Sequence, residues 1–483
     1  MYLSEGICTG IIKSATPRTP TPNPANSQLL MPGNDTQESS KSTTRPRTPA
    51  SRMTPRSWNY GTIITYNASI TVAVAIEQLT TMADRCIIDK DQGTKKLEDV
   101  DRRGTDEQHG SSNSETGEKT PALLKQLARA IPKVELHVPL EGTLEPDLVF
   151  SLAKRNNIDL SPYFKNEDDL RSRYNNFTDL NSFLNVYYQC ASVLCTERDF
   201  YDLTMSYFSR AHRDKVVYAE MFFDPQHHKK SLSFETCADG VCSAMHDAQN
   251  RYGITSKLIP CFLRHLSEES AISTWIEMFK YFKSHPESKS HIVGVGLDSS
   301  EKKHPPRDFH GLFWMIRHAS EAVVGDIHIV AHAGEEGPAR YITEALNILH
   351  AERIDHGVRC ADDKNLVQRL RDERIPLTVC PLSNIRLKVF GHMKDHNLKQ
   401  LLGLGLNVSI HSDDPAYFGY MNDNYCAIID ALDIDEHDIL NLAMNAINSA
   451  FLTESEKDRL RQRLYEDSGP ILDKLMETQA ANE

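Results

Sequence analysis

Two rhythms of apolar residues alternate along the chain from residue 121 onward. The first is a run of strand length that breaks off into polar residues. Such runs are "KVELHV" (133–138), "KVVYAEMFF" (215–223), "SKLIPCFL" (256–263), "HIVGVGLD" (291–298), "DIHIVAHA" (326–333), "RIDHG" (353–357), "PLTVCPLSN" (376–384) and "LNVSIHSDD" (406–414). The second rhythm has helical spacing, as in "ESAISTWIEMFKYFKSH", "ARYITEALNILHA", "DKNLVQRLRDERI" and "NLKQLLGLG". Ahead of the first run, "PALLKQLARAI" reads as a helix with Pro121 in its first turn. Strands separated by helical crossovers make a parallel sheet. Eight such runs predict an α/β fold, a closed (β/α)8 TIM-like barrel with its active site at the C-terminal strand ends.

Neither rhythm is sustained before residue 119. The stretch "TPRTPTPNPANSQ" and its continuation are rich in Thr, Ser and Pro, and "DQGTKKLEDVDRRGTDEQHGSSNSETGEKTP" is charged and poor in apolar residues. Such segments bury too little surface to offset the entropy of ordering them. Residues 1–118 are therefore expected to be a disordered extension and 119–483 the barrel domain. Within the extension, "NASITVAVAIEQLTTMADRCIID" could form a short strand or helix, and the repeated Thr-Pro pairs are candidate phosphorylation sites.

Composition narrows the functional classes. A net charge of −13 and a pI near 5.9 argue against a nucleic-acid partner, which needs a basic face. Ten cysteines without a C-x-x-C pair suggest neither a disulfide framework nor a cysteine zinc site. The most apolar stretch of the extension, "SITVAVAI" at 69–76, falls far short of the ~20 residues that cross a bilayer. The N-terminus lacks a basic start followed by an apolar core. No membrane partner is expected; the expected location is the cytoplasm, with a nuclear population compatible.

The strand ends carry the chemistry. The first gives His137, the fifth "HAGEE" with His332 and Glu335, the sixth "DHG" with His356, and the eighth "SDDP" with Asp413 and Asp414. Singly, each has a structural explanation, such as a core histidine or a turn-initiating aspartate. Their recurrence at the ends of predicted barrel strands favours a site. Imidazole and carboxylate suit zinc or a similar divalent ion with one position open for water. Glu335, carried round a turn by Gly334, stands where it could give or take a proton. His356 could hold the attacking water or stabilise charge.

These residues sit in motifs that resemble the adenosine/adenine deaminase family, most closely its fungal-type adenine deaminases: "PKVELHVPLEGTLEP", "FFDPQHH", "GVGLDSSE", "AHAGEEG", "RIDHGVRC", "LTVCPLSN" and "SDDPAYFG". The resemblance runs from about 121 to 475 and implies a zinc-bearing (β/α)8 barrel with one zinc ion per chain. It places metal ligands at His137, His332 and Asp413, the proton donor at Glu335 and the catalytic histidine at His356. Asp414 falls where the family grips the purine's imidazole nitrogen. The short "GLDSSE" stretch favours the free base, so the implied reaction is hydrolytic deamination of adenine in purine salvage, with adenosine as the alternative substrate. AMP is disfavoured, since no basic phosphate cluster accompanies the motifs.

The family's fourth ligand falls on position 139, which is proline. Proline cannot ligate a metal. Loss of a supporting group at a metal site typically costs 10–100-fold, so a lost ligand should cost at least ~1.4–2.8 kcal/mol. Three protein ligands nevertheless remain, the usual number for catalytic zinc. His228 is a candidate substitute, although a loop role suits its position better. The competing expectation is a barrel that binds purines without turnover.

Overall fold

The structure is a computed structural model that describes residues 119–323 and 327–480. The expected extension over 1–118, with its Thr-Pro pairs, lies outside the described residues. A helix, Lys119–Ala130, opens the described chain. Eight strands follow: β1 Lys133–Pro139, β2 Val216–Phe223, β3 Thr255–Leu263, β4 Gly294–Asp298, β5 His328–Ala333, β6 Arg353–His356, β7 Leu377–Val379 and β8 Val408–Ile410. They are parallel and lie side by side in chain order. Helices cross between them, as the alternating rhythms predict, and cover the outer face. That is why β1 and β2 are buried at every residue and read as apolar runs rather than alternating ones.

Local signals set the helix ends. Ser267 accepts the Ser270 amide at the start of Glu268–Ser284, and Ser233 does the same for Thr236 in Phe234–Tyr252. Gly253, in the left-handed conformation, closes the latter. Two expected strands are shorter than their apolar runs. In "PLTVCPLSN" the strand stops at Val379, because Pro381 starts a helix, Pro381–Arg386. In "LNVSIHSDD" it stops at Ile410, where the chain turns toward the site.

The β8–β1 seam is closed differently. Among the described residues no strand ladder joins the two; two side-chain bonds and one backbone bond stitch them instead. The Leu136 amide donates to His411 Nδ1 (3.0 Å), the Ser412 amide to Glu135 Oε1 (3.3 Å) and the Asp413 amide to the His137 carbonyl (3.1 Å). Opposite strands meet across the interior. Arg353 of β6 pairs with Glu220 of β2, and its Nη2 donates to the Leu136 carbonyl (3.1 Å). The pair is fully buried, so losing either partner would strand a charge.

Candidate active site

β1 bends as it reaches the barrel mouth. Three steps along it, Glu135 to Val138, match two along β2, Ala219 to Met221. Such a bulge re-aims side chains near active sites. It brings His137 under His332 of β5 and His356 of β6, with ring centroids 4.6 Å from each. Asp413, just beyond β8, points its Oδ1 at His137 Nε2 (3.3 Å) and its Oδ2 at His356 Nε2 (3.9 Å). Glu335 Oε2 lies 3.7 Å from His356 Nε2. All five side chains are buried. His332, Glu335, His356 and Asp413 border a cavity of about 50 Å³ together with Asp414, Asp224, Asp298 and Pro139.

Two of these residues hold unusual backbone conformations. His356 (φ 63°) and Asp413 (φ 61°) are left-handed, which costs a non-glycine residue ~1–2 kcal/mol. Strain of this kind persists where surrounding contacts fix it, and it clusters at active sites. Gly142 is needed for a different reason: a Cβ there would sit 1.9 Å from Asp414 Oδ1. The acidic Gly turn after β1 therefore packs backbone directly against Asp414.

Burial sets the protonation of the acids and bases. It pushes the Glu335 carboxyl well above the usual range, and the neighbouring charges of Asp413, Glu301 and Glu336 push it further. Both effects favour the protonated form of Glu335. Burial and the adjacent His137 keep His356 neutral. Asp414 is also raised well above the usual range, by burial and by Asp413 beside it. Asp413 goes the other way: burial opposes its ionisation, but His137 and His356 outweigh that and hold it well below the usual range.

Comparison with known proteins bears on what this arrangement is. The family described as Adenosine deaminase matches residues 132–467, more than half of the chain. An adenine deaminase of Cupriavidus taiwanensis is 51% identical over 338 residues, 70% of this chain and 92% of that protein. The crystal structure of an adenine deaminase from Arthrobacter aurescens superposes with a TM-score of 0.64 at 43% identity, covering 70% of this chain and 99% of that one. The chain belongs to the adenosine deaminase family. A more distant amidohydrolase from Burkhoderia ambifaria, solved with bound Zn, shares the fold at 23% identity and a TM-score of 0.64, over 76% of this chain and 96% of that one.

A metal of the kind expected in this deaminase family fits the residues present. His137 Nε2 is buried with no hydrogen-bond partner and faces the Asp413 carboxylate. Ligand atoms of His137, His356, Cys380 and Asp413 all lie within 4.8 Å of one another. This donor group overlaps the expected set at His137 and Asp413. It contains His356, expected as the catalytic histidine, and Cys380, which was not expected; His332 lies against it, its ring 5.1 Å from that of His356. Position 139 faces the same cavity, with Pro139 paired to Phe222 at the end of β1. His228 does not join the cluster. Its Nε2 lies 3.0 Å from Glu141 Oε1, and it stacks on Phe223.

Three positions that the strand-end reading passed over support the deaminase site. Asp355, beside His356, lies behind the histidines: its Oδ2 is 3.4 Å from His332 Nδ1, and its Oδ1 accepts from Thr378 Oγ1 (2.9 Å), which contacts His137 Nδ1 (3.0 Å). Burial works against ionised Asp355, but His332, His137 and Arg353 overcome it and keep the carboxyl well below the usual range. Asn384 donates to Glu335 Oε1 (3.5 Å) from the helix after β7. Glu301 accepts four successive amides of the "GEEG" turn, from Gly334 (2.8 Å), Glu335 (3.0 Å), Glu336 (2.9 Å) and Gly337 (2.6 Å).

Proposed function

We propose that this chain catalyses the hydrolytic deamination of adenine, giving hypoxanthine and ammonia, with zinc as the metal at one site per chain. The observation that carries the reading is the convergence of buried Glu335, His356 and Asp413 on the unpartnered Nε2 of His137, with Glu335 held above and Asp413 below the usual carboxylate range. The 51% identity to an adenine deaminase supports the choice of base.

His137, His332 and Asp413 would hold the metal, with Cys380 and His356 beside them. A bound zinc ion would polarise a water and lower its pKa toward ~7. Glu335 gives its proton to the purine ring nitrogen next to the amino-bearing carbon, making that carbon electrophilic. His356 receives one proton of the attacking water and returns it to the departing amino group, which leaves as ammonia, while the remaining hydroxyl proton passes to Glu335 and restores the acid as the carbonyl forms. Asp414, protonated, donates a hydrogen bond to the imidazole nitrogen. Leu180, Phe183 and Leu184 supply apolar walls to the cavity in which the ring lies.

Pro139 leaves the metal with one histidine fewer than the resemblance implies. Three protein ligands suffice for catalytic zinc, so we infer an active enzyme of weakened metal affinity, acting on a small purine in the cytosol. The test is ammonia release from adenine by the purified chain. Turnover abolished by Glu335→Gln supports the reading, and turnover unaffected by that change contradicts it.

A further inference from the structure

The far wall of the cavity carries two acids that the deamination steps leave without a task. Asp224 follows β2, and Asp298 is the last residue of β4. In a ring of eight strands, each faces the one four places on, as Glu220 and Arg353 already demonstrate for β2 and β6. Asp224 therefore stands across from His356, and Asp298 across from Asp413 and Asp414. All five line one cavity. Both acids are buried, at 4% and 6% exposure, and each keeps an Oδ1 without a hydrogen-bond partner. Each carboxyl is pushed above the usual range, chiefly by burial, and the Asp224 charge raises Asp298 further. The Tyr187 hydroxyl donates to Asp224 Oδ2 (3.4 Å), and the Asp224 amide is fixed on Glu141 Oε1 (3.1 Å).

Buried acids with unfilled oxygens are costly to keep unless a ligand completes them. The proposed function says which ligand edge reaches them. With the amino-bearing carbon and its ring nitrogen at Glu335 and one imidazole nitrogen at Asp414, the purine edge left is N3 and N9. In a free base N9 carries a proton and N3 is an acceptor. Two carboxyls that share one proton offer the matching acceptor and donor. Burial pushes Asp224 up to about 7, in keeping with such sharing. In a nucleoside, N9 has no proton and bears a sugar that would run into this wall.

We propose that Asp224 and Asp298 together recognise the N3/N9 edge of the free base, one oxygen accepting N9–H and the partner carboxyl donating to N3, and so select base over nucleoside. This rests on the adenine deaminase reading and adds a specificity site to it. A site built to bond a substrate N–H rejects the analogue lacking it by ~10⁴-fold or more, because its polar groups are then left unpaired.

The test compares kcat/KM for adenine and 9-methyladenine in the wild-type chain, Asp224→Asn and Asp298→Asn. The wild type should prefer adenine strongly. Each variant should lose about 10- to 100-fold on adenine and change little on 9-methyladenine, so that the preference narrows. An equal fall on both substrates, or unchanged activity on adenine, overturns the proposal. Because a variant can misfold, calorimetry on the wild type gives an independent reading: hypoxanthine should bind far more tightly than 9-methylhypoxanthine, and equal affinities overturn the assignment. A wild type inert toward adenine would sink the deaminase reading, while the two product affinities would still decide what the acid pair does.

Discussion

Glu301→Gln is the change that probes the catalytic turn without touching a residue assigned to chemistry. Glu301 Oε1 accepts one amide and Oε2 accepts three. Arg264 braces the same turn, its Nη1 donating to the His332 carbonyl (2.6 Å) and lying 3.9 Å from Glu301 Oε1. Glutamine keeps one acceptor oxygen and turns an NH2 toward the remaining amides. If its oxygen replaces Oε2, the Gly334 amide loses its partner and meets a donor. One buried amide left unsatisfied costs ~1–3 kcal/mol, and three bonds to a charge become weaker bonds to a neutral group. A total of about 3 kcal/mol expressed in the position of Glu335 is roughly a 100-fold loss of rate. Ammonia release from adenine should show kcat falling by about that factor, with KM changing little and metal content intact. Glu301→Asp, which keeps the charge but shortens the reach, should recover part of the loss. An unchanged kcat in Glu301→Gln would refute the claim that this carboxylate positions the proton donor.

Other expectations test separate parts of the account. Asp355→Asn weakens the hold on His332 and, through Thr378, on His137, so zinc affinity measured by chelator competition should fall ~10–100-fold. Gly142→Ala would force a methyl into Asp414 and should raise KM for adenine more than it lowers kcat. Glu141 is raised from 4.5 to about 7, chiefly by burial. A folded pKa above the unfolded one stabilises fully below the unfolded value, and that contribution fades as pH rises through the folded one. Melting temperature should therefore decline from pH 4.5 to 7.5, and Glu141→Gln should flatten that decline by at most ~3 kcal/mol of stability. An unchanged slope in Glu141→Gln would contradict the assignment. Activity should fall in alkali as Glu335 loses its proton, its carboxyl being held high by burial and by Asp413.

The barrel is legible in the sequence because parallel strands buried on both faces read as apolar runs, and β1, β2 and β3 match theirs within a residue or two at each end. Legibility drops at β7 and β8, three residues each, where neighbouring apolar residues belong to turns and to the Pro381–Arg386 helix. His137, His332, Glu335, His356 and Asp413 converge because each ends or follows a strand. Residues that act on other residues were harder to see. Glu301 closes "GLDSSE", yet its four amide partners lie 33 to 36 residues downstream, and only the β4–β5 pairing brings them together. Asp355 is overshadowed by His356 beside it, and its task depends on Thr378 of the neighbouring strand. Cys380 carried no signal, since the histidine and carboxylate pattern alone suggested the donor set.

The central claim is that this chain holds zinc and turns over adenine despite Pro139. Zinc per chain and ammonia release should be measured in one preparation, beside Pro139→His. The account predicts nearly one zinc per chain with turnover at saturating metal, and tighter zinc in Pro139→His. A metal-free chain that stays inert even as Pro139→His would contradict it.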